Sequence, residues 1–183
     1  MHTRWHQIFN FPKVLIAQVH GYCVEGGCNL QLLCDITITA DDAIFSYKGQ
    51  RLAAGGASTL MVHLSNLIGY KKAREIILTG RNISGTEAAE MGLVNTSVPA
   101  GRLGETTLKM AKQIASMPRD AIVVGKFYSS MVYDMMGLNM LAAGSGGAVG
   151  GPLGAAAAMA PGAIGMASKA VADGMTKSKV ANL

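Results

Sequence analysis

The stretch His20–Asp35 reads HGYCVEGGCNLQLLCD, and the apolar run KVLIAQV leads into it. Val14 to Val19 is a continuous β-branched and aliphatic run, which predicts a strand buried on both faces. Gly21 breaks that run. Gly26 to Leu33 then has helical spacing, with Cys28, Leu30, Leu32, Leu33 and Cys34 making it apolar nearly all round, the pattern of a buried helix. A strand, a tight turn, two adjacent glycines and a helix start in so few residues suit a site that offers backbone N–H groups to an oxygen bearing negative charge. The first amides of a helix have no intrahelical acceptor, and the helix start carries a partial positive charge. The simpler reading of Gly26 and Gly27 is that they only permit a tight strand-to-helix turn.

Outward from this stretch, strands alternate with helices. ITIT at Ile36–Thr39 is a second short strand. Asp41 and Asp42 mark a turn, and Ala43 to Tyr47 is a third strand. Lys48 to Gly56 reads as a glycine- and alanine-rich loop. Helices follow over Ser58 to Ile68 and Lys71 to Leu78, closed by Gly69 and Gly80. Ser84 caps the next helix, with Glu87 at capping-box spacing, and Gly92 stops it. Leu93 to Val98 is a strand ended by Pro99, and two more helices span Leu103–Ser116 and Arg119 to about Met136. This alternation predicts an α/β domain.

With 183 residues, half of them hydrophobic and 15% charged, the chain is globular and long enough to bury a sizeable core. Its formal charge of +5 favours an anionic ligand such as a phosphate-bearing cofactor, or simply aids solubility. The basic residues form no cluster larger than Lys71, Lys72 and Arg74, and no aromatic stripe interleaves them, which argues against nucleic acid. Cys23, Cys28 and Cys34 form no CxxC pair, and no four ligands stand at zinc-finger spacing. MHTRWHQIFNFP has no apolar signal-peptide core. A cytoplasmic, reducing compartment is the setting this predicts. From Met135 to Ser168 there is no charged residue. Glycine and alanine bury little apolar area, and Pro152 and Pro161 interrupt the run, so it reads as a mobile or loosely packed tail, or as the product of a shifted reading frame, before a membrane span.

Four stretches carry a resemblance. They are PKVLIAQVHGYCVEGGCNLQLLCDITITADDAIF from Pro12, SYKGQRLAAGGAS from Ser46, LIGYKKAREIILTGRNISGTEAAEMGLVN from Leu67, and VPAGRL from Val98. In this order and spacing, over roughly half of the chain, they resemble the enoyl-CoA hydratase/isomerase (crotonase) family. The resemblance implies an α/β fold, a crotonase-like ββα spiral with its N-terminal part incomplete, followed by C-terminal helices. The expected organisation is a partial core over 1–100, C-terminal helices over 101–138 and a glycine/alanine-rich tail over 139–183. It further implies an acyl-CoA thioester as substrate, no cofactor beyond that coenzyme A, and a homo-trimer or hexamer.

By the same resemblance, Gly26 supplies one of two backbone N–H groups that hold the thioester oxygen as an enolate forms, with Gly27 beside it. Preorganised amides stabilise charge that appears only in the transition state. The family's two proton-carrying glutamates match Asn29 and Gly49 here, and neither side chain can carry a proton as a carboxylate does. Tyr47 and Gln50 stand as polar helpers. Lys48 and Arg51 are placed to meet the phosphates of coenzyme A. Where some members put an aspartate for double-bond shifts, Ala57 has no acid. Glu25 reads as a solvated or capping carboxylate. Ser58 reads as an N-cap, since no G-x-S-x-G elbow surrounds it. His20 and His63 read as structural, and Met131, Met135 and Met136 as core or subunit contacts. The alternatives to an enolate-stabilising enzyme are a non-catalytic member of the family, or a decarboxylase or thioester hydrolase on the same scaffold.

Overall fold

A computed structural model describes residues 7–48 and 61–138. The predicted tail over 139–183 and the segment 49–60, with Gly49, Gln50, Arg51, Ala57 and Ser58, lie outside the described residues. The strands are β1 (Ile16–Val19), β2 (Tyr22–Val24), β3 (Ile36–Ala40), β4 (Ile44–Ser46), β5 (Asn82–Ser84) and β6 (Thr96–Val98). The helices are α1 (Gly26–Leu32), α2 (Met61–Ile68), α3 (Tyr70–Thr79), α4 (Gly85–Glu90), α5 (Leu103–Ala115) and α6 (Arg119–Met135).

The strands form two sheets, one ordered β1-β3-β6 and the other β2-β4-β5. β1 pairs parallel with β3 from Ile16↔Ile36, and β2 pairs parallel with β4 from Tyr22↔Ile44. Each pair of consecutive strands therefore turns a corner from one sheet into the other, and the next pair stacks on it in register. This is the ββα spiral that the resemblance implied. Gly21, with φ +61°, makes the first corner, a conformation that glycine adopts without steric cost. The two corners are joined directly, since the Ile44 amide donates to the Gly21 carbonyl at 2.8 Å.

The short strands explain two differences from the sequence reading. β2 and β5 went unrecognised because three residues carry too little periodicity to register. β1 was expected to be buried on both faces, yet among the described residues it is the edge of its sheet, with Gln18 exposed and only Val19 buried. Its aliphatic composition matches a central strand, but position in the sheet is set by what pairs beside it. Conversely, the alternating ITIT of β3 is buried throughout from Thr37 to Ala40. Its threonines satisfy their hydroxyls internally: Thr37 Oγ1 donates to the Gln31 side chain at 3.1 Å and Thr39 Oγ1 to the Val19 carbonyl at 3.3 Å. A buried hydroxyl is tolerated because it is paired.

The core lies between the two sheets and beneath α2, α3 and α4. Phe45, Ile38, Ile76 and Ile83 are fully buried there with Ala40, Ala43, Ala73 and Ala88. The alanines let backbones approach closely. At Gly85 a Cβ would collide with the carbonyl oxygen of Ala40, so only glycine fits there. Ser84 caps α4 as predicted, its Oγ accepting from the Glu87 amide at 3.1 Å. Glu87 does not complete the capping box; its carboxylate pairs with Arg81 at 2.7 Å. Gly80 closes α3 in the left-handed conformation.

The first C-terminal helix buries Leu103, while none of the residues of α6 is buried. Met131, Met135 and Met136, expected in a core or at a subunit contact, are exposed on α6. A polar clasp ties α6 to the rest of the domain, and Tyr133 meets the Phe9 ring with centroids 5.7 Å apart. Lys126 Nζ meets Asp35 Oδ2 at 2.7 Å and donates to the Lys13 carbonyl at 2.9 Å, and the same Asp35 oxygen accepts from the Leu15 amide at 2.7 Å. No described helix is long and apolar enough to cross a membrane.

Candidate active site

The turn between β2 and α1 is built by pairing on one side and strain on the other. The Glu25 amide donates to the Ser46 carbonyl at 3.0 Å, continuing the β2–β4 pairing by one residue. Glu25 then takes φ 45° and ψ −98°, which swings the chain into α1. No other non-glycine residue described has a positive φ. Such a conformation costs on the order of 1–3 kcal/mol in a residue with a side chain, and strain of this kind collects at functional sites. The Glu25 side chain makes no capping hydrogen bond, so the expected capping role is not the one it plays.

The helix begins when the Asn29 amide donates to the Glu25 carbonyl at 2.8 Å. The amides of Gly26, Gly27 and Cys28 have no backbone acceptor among the described residues. Gly26 and Gly27 are both exposed. A Cβ at Gly26 would meet nothing within 4 Å, and one at Gly27 would touch only Cys23 Sγ at 3.6 Å. Neither glycine has a positive φ. Turn geometry and crowding therefore do not require these glycines; the strained residue is Glu25. What the glycines do provide is exposed backbone with no side chain to cover its N–H groups.

Relief of the strain is measurable. Glu25→Gly is expected to raise the unfolding free energy by about 1 kcal/mol, the strain released less the extra chain entropy of glycine. Glu25→Ala keeps the Cβ and gives no such gain. Urea unfolding of the two variants separates them, and equal midpoints would mean that Glu25 is unstrained.

Helix α1 is not buried all round as its composition suggested. Cys28, Gln31 and Leu32 are buried, and Leu30 is exposed. Gly27, Leu30, Gln31 and Cys34 share one helical face. Together with β1, Tyr22 and Cys23 that face lines an open cleft of about 500 Å³. Asn29, half-buried, lies on another face and does not line this cleft. Tyr47, expected as a polar helper facing substrate, is a core residue with 2% of its surface exposed. Burial is the first reason its phenol stays protonated far above the usual range, and the neighbouring Cys28 and Cys23 thiols add to it. The residue follows β4 on its inward parity, which a loop reading of Lys48–Gly56 did not reveal. Lys48 is half-buried at the end of the described segment.

The sequence reading also missed the polar groups behind the glycines. Cys28 Sγ donates to the Cys23 carbonyl at 2.8 Å, and Ser46 Oγ, Gln31 Nε2 and the Tyr47 hydroxyl are buried nearby without a hydrogen-bond partner. Strand parity was the available signal, because Cys23 points inward between exposed Tyr22 and Val24.

A second cavity, of about 270 Å³, lies at the other end of α1 and is lined by His63, Asn66, Lys126 and Tyr133. His63 is buried against the ring of Phe9, with centroids 5.1 Å apart, and both its nitrogens lack partners. Burial lowers its pKa, so the ring is neutral. That is the structural placement expected of it, whereas His20 is exposed. Among the described residues no group of three or more metal-ligating side chains occurs.

A family model described as enoyl-CoA hydratase/isomerase matches residues 1–143. Over 137 residues the chain is 35% identical to the "Probable enoyl-CoA hydratase, mitochondrial" of Dictyostelium discoideum, covering 73% of this chain and 48% of that protein. It superimposes on the probable enoyl-CoA hydratase of Mycobacterium thermoresistibile with a TM-score of 0.67 at 36% identity, covering 77% of this chain and 57% of that one. A monofunctional enoyl-CoA isomerase from M. smegmatis matches with a TM-score of 0.63 at 34% identity, covering 71% of this chain and 61% of the other. The chain thus spans about half the length of the curated relative it matches. Family model, sequence relative and superimposed structures agree with the spiral: this chain belongs to the enoyl-CoA hydratase/isomerase family.

Proposed function

We propose that the β2–α1 turn binds an acyl-CoA thioester and that the Gly26 N–H holds the thioester oxygen as enolate charge develops. The observation that supports this is the set of amides at Gly26, Gly27 and Cys28 that have no backbone acceptor among the described residues, beside a strained Glu25, with Gly26 and Gly27 exposed. Fixed N–H dipoles cost no reorganisation when charge appears, and one such donor is worth about 100- to 1000-fold in rate. Helix α1 has seven residues, so the aligned amides carry this role more than any long-range dipole. The solved relatives include both a hydratase and an isomerase by name. Enolate stabilisation is common to both reactions, so it is the part of the chemistry proposed here. Lys48, and Arg51 beyond it, are the cations proposed to meet the coenzyme A phosphates, in keeping with the net charge of +5. The exposed row of Phe127, Tyr128, Met131 and Met135 on α6 supports assembly into a trimer or hexamer.

A second reading has its own support. Asn29 stands where the family carries a carboxylate, and an amide cannot relay a proton. Tyr47 is too buried to substitute. On this reading the chain binds acyl-CoA without converting it.

Calorimetric titration of the chain with coenzyme A and with crotonyl-CoA, beside a thermal melt, tests both. Saturable binding of crotonyl-CoA with a raised melting temperature is expected. Loss of the enoyl absorbance in the same sample marks an enzyme, and binding with unchanged absorbance marks the non-catalytic reading. A cooperatively folded chain that gives neither heat nor a shift in melting would overturn acyl-CoA binding altogether.

A further inference from the structure

Two thiols sit directly behind the glycine turn, and each is aimed at the other's segment. Cys23 points inward from β2, and Cys28 lies in the first turn of α1; both are buried. Cys28 Sγ donates to the Cys23 carbonyl at 2.8 Å and stands 3.5 Å from the Ser46 carbonyl. Cys23 Sγ stands 3.6 Å from the point a Gly27 Cβ would occupy, next to Cys28 in the chain. The two thiols perturb each other's pKa, Cys23 downward and Cys28 upward. Three buried polar atoms around them, Ser46 Oγ, Gln31 Nε2 and the Tyr47 hydroxyl, have no hydrogen-bond partner among the described residues. Buried polar groups left unpaired are rare in a settled core and ask for an explanation.

We propose that Cys23 and Cys28 are a redox pair that closes to a disulfide across the β2–α1 turn when the protein meets a hydroperoxide, and reopens with a dithiol. The inference does not depend on acyl-CoA binding. Cys23 lines the open cleft of about 500 Å³, so a small peroxide reaches it from solvent, whereas Cys28 does not line the cleft. The neighbouring Cys28 thiol favours the thiolate at Cys23, and the neighbouring Cys23, with burial, keeps Cys28 protonated. Cys23 is therefore the attacking sulfur and Cys28 the resolving one.

In the first step the Cys23 thiolate attacks one peroxide oxygen and the O–O bond breaks. The departing hydroxide takes the Cys28 proton and leaves as water. Cys23 is now a sulfenic acid and Cys28 a thiolate. In the second step Cys28 attacks the Cys23 sulfur, the S–O bond breaks, and hydroxide leaves to be protonated by solvent, which had received the Cys23 proton. The sulfur pair loses two electrons and the peroxide gains two. Gly27 has no side chain, which leaves the Cys23 sulfur room to rotate toward its partner. Cys34 is half-buried two turns further along the α1 face, with Sγ donating to the Leu30 carbonyl at 3.4 Å, and it takes no part.

The test is peptide mapping of the whole chain. Cleavage after Lys13 and Lys48 places all three cysteines in one peptide, Val14–Lys48. Reduced protein, alkylated, carries a label on each. After hydrogen peroxide, the expected peptide carries one label, on Cys34, and is lighter by two hydrogens between Cys23 and Cys28. Dithiothreitol restores all three labels. Cys34→Ala keeps the bridge; Cys23→Ala and Cys28→Ala lose it. Three labels remaining after peroxide, a bridge that includes Cys34, or Cys23 driven to the sulfinic acid without any bridge would each overturn the proposal. The wild-type map decides the matter even if a variant does not fold.

Discussion

Phe45→Ala is expected to lower the unfolding free energy by about 3–5 kcal/mol, the largest single effect in the chain. Phe45 is the middle residue of β4, fully buried where the two sheets meet, and its strand is paired on both edges, with β2 and β5. A strand held on both sides cannot move in to fill the space a lost ring leaves. The cost is then the transfer free energy of the ring plus the cavity. Domains of this kind are stable by only about 5–15 kcal/mol, so the variant stands near the limit of folding. Urea unfolding is the measurement: the midpoint falls while the slope stays that of the parent. Phe45→Leu, which keeps most of the volume, should lose much less. Equal losses for the two would mean that the ring is not enclosed as described.

Asp35→Ala has the next largest expected effect, about 2–3 kcal/mol. The carboxylate accepts from the Leu15 amide and from Lys126, both at 2.7 Å, and Lys126 reaches on to the Lys13 carbonyl. A surface ion pair alone is worth little. This one is partly buried, with Lys126 17% and Asp35 30% exposed, and its removal also leaves the Leu15 amide without its side-chain acceptor. The variant should loosen α6 before the rest. Amide hydrogen exchange is therefore expected to rise across Arg119–Met135 more than across β3 and β4. A uniform rise would mean that α6 is held by something else. Because α6 buries none of its residues among those described, the clasp is a main contact that orients it, beside the Phe9–Tyr133 ring contact.

The helices were the most legible part of this protein. α3, α5 and α6 appear within a residue or so of the bounds expected from apolar spacing, glycine stops and proline starts. Those signals are local: a left-handed C-cap needs glycine, and Pro118 cannot continue a helix from before it. The Ser84 cap is local in the same sense. Strands were read less well. β1, β4 and β6 are shorter than the reading assigned, and β2 and β5 were not read at all, because pairing partners hold them and those lie far along the chain.

The site divides in the same way. Paired glycines after a strand read first as a tight turn, and it was the resemblance of four ordered motifs that pointed at the family and at the Gly26 N–H as a candidate. The sequence by itself thus determined the family, the helices and the place of the glycine turn. Only the tertiary structure decided that Glu25, not a glycine, bears the strain of that turn, that Tyr47 belongs to the core, that Asn29 faces away from the cleft, and that Cys23 and Cys28 meet behind it. The physical reason is common to all four. Which way a side chain points after a corner depends on the register between strands that are adjacent in space and distant in sequence, and that register is set by the packing of the two sheets, not by the residues of the turn.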